Sequence, residues 1–366
     1  MKILVNLLSF SEDRLYGVGI YFRDIFIYNL SEIVRELNCD ITFLHSDSIN
    51  ISNVFNIDLE KNIGKIEFVS VENANNKFSR VFTEQFKLYS FLKKFDYIYS
   101  PNNINPIILP RGVKSIITIH DLLPFRAKNR YSSLQNIYLK FSTWVCAKLA
   151  YKIVTVSNTS KDDIVSILGV NESKVRITYN TVRQFDSNVI FHPRTTNKYF
   201  FSISALQEDK QIDISIKAFY MFINSGYDNY HFYIAGGDQG YKKELQKIAR
   251  ELNIENKVHF LGYIEENDKW AYIKYATALI LLGKNEGFGI PVIEGMMMKR
   301  PVIVANLGAL PEIVGKSGYI TPPTVDGVAQ AMIYSVENEV PNEAYEMEIA
   351  RFSPKIQFNT FISLFR

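Results

Sequence analysis

Two glutamates stand with seven residues between them in Glu286-Gly287-Phe288-Gly289-Ile290-Pro291-Val292-Ile293-Glu294. An apolar run, Ala278 to Leu282, precedes them and reads as a buried parallel strand. No proline follows Pro291 until Pro301, and a proline is well tolerated in a first helical turn, so a helix is expected there. Gly287 and Gly289 then fall in a strand-to-helix loop, with Glu294 one turn into the helix. Unpaired N–H groups at a helix start favour anions, phosphate above all. Glycines let backbone approach a ligand closely, and a carboxylate accepts hydrogen bonds from two neighbouring sugar hydroxyls. A ligand with a sugar, phosphates and a second sugar in a row fits the string: a nucleotide-diphosphate sugar. Taken piecemeal, the plainer account is a helix start whose acidic residues favour its dipole.

The elements that must hold this string are an alternating series. A chain of 366 residues exceeds the ~250–300 that one core usually serves, so two domains are expected. In the first half, Ile3–Leu8, Ile41–His45, Ile66–Val71, Tyr97–Pro101, Ser115–His120 and Ile153–Ser157 read as strands, Lys174–Asn180 closes the domain, and Ile20–Leu37 reads as an amphipathic helix. Residues 1–184 form the first domain and 185–197, without periodicity, a linker. Residues 198–341 form the second domain, with strand-like runs at Tyr199, Phe232, Val258 and Ala278. Five of 18 glycines precede residue 197, so close backbone approach belongs mainly to this second half. Strands alternating with helices in both halves imply two doubly wound α/β domains, with ligands beyond the carboxyl ends of the strands. Residues 342–366, with Phe352, Ile356, Phe361, Ile362 and Phe365, read as an amphipathic terminal helix.

Composition narrows the function classes. A net charge of +3 lacks the concentrated basic character of a nucleic-acid binder, yet permits contact with an anionic membrane surface. Cys39 and Cys146 form no metal-ligand or Cys-x-x-Cys spacing and read as buried thiols in a reducing compartment, so the cytoplasm is expected. The apolar start is followed at once by Glu12, Asp13 and Arg14, and reads as a strand rather than a signal peptide. No uncharged apolar stretch reaches ~18 residues.

Other residues could join the chemistry. Gly17-Val18-Gly19 precedes the first helix, but the third glycine of a dinucleotide fingerprint would fall on Phe22, and a tight turn is the stronger reading. His120 ends a β-like run, where it would titrate near neutrality and donate to a sugar hydroxyl or phosphate, while Asp121 would orient it or cap the next segment. Lys210 is a point charge suited to phosphate, although spacing alone favours a solvated lysine. No Asp-x-Asp pair occurs to hold a divalent metal on a diphosphate. Aromatics and lysines interleave through Phe78–Lys94 and again through Tyr131–Trp144; such stretches pack on a sheet or lie on a membrane.

The Glu286–Glu294 string, with Arg300-Pro301-Val302-Ile303-Val304-Ala305-Asn306 and Leu310-Pro311-Glu312-Ile313-Val314, resembles the donor-site motif of retaining GT-B glycosyltransferases of the family 4 (group 1) type. The resemblance covers most of the chain and is strongest over residues 200–320. It implies two Rossmann-like domains facing across a cleft, with the terminal helix crossing back to the first. It implies catalytic roles for Glu286, His120 and Lys210: Glu286 on hydroxyls of the transferred sugar, His120 near that sugar, and Lys210 on the donor phosphates. Glu294 would hold the ribose, and Gly287, Phe288, Gly289 and Ile290 would line the donor. Gly17 and Gly19 would face the diphosphate, Gly262 and Tyr263 the base, and Asn180 would be structural. Many relatives add an arginine where this chain has Ser204 or Asp209. No cofactor or metal is implied beyond the co-substrate. The motif is nearest to mannosyl- and rhamnosyltransferases of O-antigen and lipopolysaccharide synthesis. This implies GDP-mannose as donor, a glycan or polyprenyl-linked acceptor, and work at the cytoplasmic face of the inner membrane. A non-catalytic nucleotide-sugar-binding subunit and a nucleotide-sugar epimerase are the alternatives.

Overall fold

A computed structural model describes residues 1–10, 17–55, 57, 65–72, 77–126, 132–181 and 190–366. The chain divides into two units: residues 1–181 with 354–366, and residues 182–353. The expected boundary at 184 and residues 185–189 of the expected linker lie outside the described residues, whereas 190–197 run without helix or strand.

The first unit is built on seven strands: β1 (Lys2–Asn6), β2 (Asp40–Ser46), β3 (Ile66–Val71), β4 (Tyr97–Ser100), β5 (Lys114–Thr118), β6 (Lys152–Thr155) and β7 (Val175–Ile177). Their order is β3-β2-β1-β4-β5-β6-β7, all parallel. Helices cover both faces of such a sheet, so Ile3, Leu4 and Val5 are all fully buried and β1 reads as an unbroken apolar run. The order reverses between β1 and β4, the crevice where doubly wound sheets take ligands.

The expected helix over 20–37 is broken into Gly17–Phe22, a π-helical turn Arg23–Ile27, and Leu30–Leu37. Phe22 and Phe26 stack on each other, and Phe26 also stacks on Tyr99. The Asn29 amide donates to the carbonyls of Asp24 and Ile25, at 3.2 and 3.0 Å. A side chain thus satisfies carbonyls released where the ladder widens.

Residues 342–366 form two helices, Asn342–Ala350 in the second unit and Pro354–Ile362 in the first. Pro354 disfavours the helical region for Ser353 and starts a new helix, which accounts for the break. Phe361 is fully buried with its ring 5.2 Å from Tyr99 and 6.0 Å from Phe26, and Gln357 Oε1 accepts the Tyr179 N–H at 2.9 Å.

The second unit carries β8 (Lys198–Ile203), β9 (Tyr230–Ala235), β10 (Val258–Gly262), β11 (Ala278–Leu281), β12 (Val302–Ala305) and β13 (Gly318–Thr321). The parallel order is β10-β9-β8-β11-β12-β13. Here the reversal lies between β8 and β11. The loop after β8 carries Lys210 and the loop after β11 carries Glu286, so topology alone brings them to one crevice. Among the described residues, no helix is long and apolar enough to cross a membrane.

Candidate functional site

Lys210 closes a short 3-10 turn, Glu208–Lys210, before the helix Ile212–Asn224. Its ammonium lies 2.6 Å from Glu286 Oε1, with the two side chains 17 and 20 % exposed. Three loops fix this pair. The Lys284 N–H donates to Asp209 O at 2.9 Å, and the Ala309 N–H to Glu286 O at 3.2 Å. The loops after β8, β11 and β12 are therefore laced by backbone. Lys284 itself is exposed and stands beside the turn that holds Asp209, one of the two positions where an arginine is missing.

The helix Ile290–Met297 begins with Pro291 in its first turn and no side chain capping it. Gly289 precedes it at φ 93°, ψ 63°, in the left-handed region. A Cβ there would sit 2.7 Å from Leu310 Cδ2, so glycine is required twice over. Phe288 is buried with its ring edge-on to Phe352 at 5.7 Å. Its side chain anchors the loop to the core, so of the expected donor-lining residue only backbone can face a ligand.

Glu294 is buried, and its Oε1 lies 2.6 Å from the Lys269 ammonium. The side chains are 11 and 14 % exposed. Lys269 stands on the helix Glu266–Tyr275, which follows β10 and packs against the helix of Glu294. It also lies 3.1 Å from Glu266 and 4.6 Å from the centre of the Trp270 ring. The Trp270 Nε1–H in turn holds Glu266 Oε1 at 3.0 Å. Sequence reasoning missed Lys269, because a lysine among charges on a helix looks solvated. The only local signal is Glu266 three residues before it. Both motif glutamates thus sit on a lysine from another element.

Gly262 ends β10 with φ +70°, and its carbonyl accepts the Gly236 N–H at 2.7 Å; Tyr263 beside it is 60 % exposed. Both lie in the same unit as Lys210, Glu286 and Glu294.

The remaining candidates belong to the first unit. Gly17 and Gly19 fall in the first turn of a helix, not in a loop, and Gly19 is buried; residues 11–16 lie outside the described residues. His120 departs from the expectation of a group titrating near neutrality. Its ring is densely surrounded though partly exposed, and burial lowers its pKa from 6.5 to about 4. Its Nε2–H donates to Pro101 O at 3.1 Å and the ring meets Tyr21 edge-on at 5.1 Å. Near neutral pH it is uncharged, with Nε2 already engaged. Asp121 Oδ1 accepts the Leu123 N–H at 3.0 Å, so it caps the helix Leu123–Arg126. Asn180 is buried, its Oδ1 without a hydrogen-bond partner among the described residues. Cys39 and Cys146 are buried free thiols pushed up to about 11 by burial. Among the described residues, no three His, Cys, Asp or Glu side chains gather to hold a metal ion.

Two Rossmann-like parallel sheets, the second with this laced crevice at its reversal, define the GT-B class. A UDP-glucose complex of Anabaena HepE superposes with a TM-score of 0.72 at 18 % identity, covering 99 % of this chain and 98 % of that one. Residues 185–351 match the model of glycosyl transferases group 1, and residues 25–183 that of glycosyltransferase family 4. The chain belongs to this glycosyltransferase family. The O-antigen chain mannosyltransferase RfbU of Salmonella typhimurium is 29 % identical over 221 residues, 60 % of each chain. The alpha-1,3/1,6-mannosyltransferase ALG2 of Dictyostelium discoideum is 34 % identical over 185 residues, 45 % of this chain and 44 % of its own. The matched segments thus span less than two thirds of these relatives' lengths.

Proposed function

We propose that the protein transfers a sugar from a nucleotide-diphosphate donor, with retention at the anomeric carbon and without a metal ion. The observation that carries this is the Lys210–Glu286 pair at the β8/β11 reversal, beside an uncapped helix start. A donor diphosphate replaces Glu286 as the partner of Lys210. The released carboxylate then accepts from hydroxyls of the transferred sugar. Lys210 and the backbone at Gly289 and Ile290 stabilise charge developing on the leaving diphosphate. The bond from the anomeric carbon to the phosphate oxygen breaks with its electron pair leaving on oxygen. The acceptor hydroxyl oxygen bonds to that carbon from the same face, and its proton passes to the departing phosphate. Glu294 holds the ribose, and Gly262 and Tyr263 flank the base. Neutral His120, its Nε2–H held by Pro101 O, keeps Nδ1 to accept from a sugar hydroxyl. Similarity to mannosyltransferases supports GDP-mannose as donor and a surface-glycan precursor as acceptor.

A polyprenyl-linked acceptor places the reaction at the cytoplasmic face of a membrane. One face of the first unit supports an anionic bilayer as its occupant. Leu134, Ile137, Tyr138, Phe141 and Trp144 are exposed along the helix Ser133–Leu149, which carries Lys140 and Lys148 and no acidic residue. Phe82, Phe86 and Tyr89 are exposed on a second segment, with Lys87 and Lys93 over the Phe82 and Tyr89 rings. The two segments meet on their inner sides, where the buried Asn105 O accepts from both Gln85 Nε2 and Cys146 Sγ, each at 3.3 Å. Aromatic rings interleaved with lysines suit an anionic lipid surface.

The test is a panel of nucleotide sugars scored by thermal shift and by slow release of nucleoside diphosphate. One donor should both stabilise the protein and be hydrolysed. Lys210→Ala should lose both signals, and Glu286→Ala the turnover. A protein that binds no donor refutes the reading. One that binds a donor, with Glu286→Ala unchanged in turnover, refutes the role of Glu286.

A further inference from the structure

The geometry points to Lys269 as a positioning residue for the nucleotide: its ammonium sets the carboxylate of Glu294 for the donor ribose. The inference rests on the donor reading above and extends it to a residue outside the motif. Glu294 projects from the second turn of the helix Ile290–Met297, too deep to be screened by water. A buried carboxylate needs a cation or several donors to offset the loss of hydration. Lys269 supplies the cation from the neighbouring helix, at 2.6 Å from one named oxygen, Oε1. The lysine is itself held. Glu266 takes a second of its hydrogens at 3.1 Å, and the Trp270 ring lies 4.6 Å from its nitrogen. The Trp270 indole N–H fixes Glu266 in turn at 3.0 Å. A chain of contacts from Trp270 through Glu266 and Lys269 therefore ends on the motif carboxylate. An ammonium that tethers one oxygen restricts rotation of the carboxylate, which orders it before the ligand arrives.

This arrangement differs from a helix-to-helix clamp in what it predicts. A clamp affects stability alone. A positioning lysine also affects the contribution of individual ribose hydroxyls. The experiment measures binding of GDP, 2′-deoxy-GDP and 3′-deoxy-GDP by calorimetry, with the UDP series alongside. Proteins compared are wild type, Lys269→Met, Lys269→Arg and Glu294→Gln. A hydroxyl donating to a carboxylate is worth roughly 10–100-fold in affinity. Wild type should show that preference for the ribose form at one hydroxyl, and Glu294→Gln should lose most of it. Lys269→Met should reduce it to about threefold or less, with deoxy-nucleotide affinity little changed, and Lys269→Arg should restore it. The Lys269→Gln variant, which keeps a hydrogen bond without charge, carries the same comparison should Lys269→Met fail to fold.

Glu294→Gln losing the preference while Lys269→Met or Lys269→Gln retains it overturns the role of Lys269 and leaves the donor reading standing. A wild-type protein that binds no nucleoside diphosphate, or binds ribose and deoxyribose forms alike, overturns the ribose role of Glu294 and this inference with it.

Discussion

Replacing Gly283 by alanine should silence transfer while leaving the fold intact. Gly283 lies in the loop after β11, three residues before Glu286, and its backbone is not in the left-handed region, so alanine is tolerated there by φ and ψ. A Cβ at this position would lie 2.9 Å from Glu286 Cγ and 3.0 Å from its Cδ, with Oε1 closer still. Ordinary contact begins at 3.4 Å. The stem must therefore shift by about half an ångström and the carboxylate by on the order of 1 Å. A misplacement of that size can cost on the order of 10²-fold in rate. The stability cost is small. The side chain that must give way is flexible and a fifth exposed, and loosening its mostly buried ion pair with Lys210 costs about 1–2 kcal/mol. Urea unfolding and steady-state transfer, measured on the same preparations, should show kcat down by roughly 30–100-fold with stability changed by less than about 2 kcal/mol. Turnover within threefold of wild type at unchanged stability would show that the position of the Glu286 carboxylate does not govern transfer.

Gly289→Ala should behave in the opposite way, destabilising the second unit: the φ of +93° costs ~1–2 kcal/mol and the 2.7 Å approach to Leu310 another ~1–3, a sum of about 2–5 kcal/mol readable in denaturant melts. Stability should fall as pH drops from 6.5 to about 4. The unfolded His120 takes up a proton from pH ~6.5 downward, whereas the folded one, depressed to about 4, does not. That window spans up to about 3 kcal/mol, His231 and His259 are lowered in the same sense, and His120→Asn should flatten the profile between pH 4 and 6.5. Phe141→Ser with Trp144→Ser should weaken sedimentation with phosphatidylglycerol vesicles by about tenfold or more while sparing hydrolysis of the donor in solution. Equal sedimentation of variant and wild type would remove the bilayer from that face.

The two alternating strand series, the loop–helix site around Glu286 and Glu294, and family membership were legible in the chain, because each is local. A parallel strand buried on both faces is written as an apolar run, and a strand-to-helix turn is written in glycine and proline. The broken first helix was not legible, since the π-helical turn answers to Tyr99, a residue from another strand, and to the carbonyls that Asn29 satisfies. Nor was the division of residues 342–366 between two units, although Pro354 marks where it falls. The titration of His120 was misjudged from sequence because desolvation depends on how the fold packs around a ring, here with Tyr21 edge-on against it, and outweighs the upward pull of the Pro101 carbonyl. Residue types and spacing marked which carboxylates are the candidates for this site. Only tertiary structure decided which lysines they meet, because Lys210 lies 76 residues from Glu286 and Lys269 lies 25 from Glu294, distances that the sheet order closes and no local pattern records.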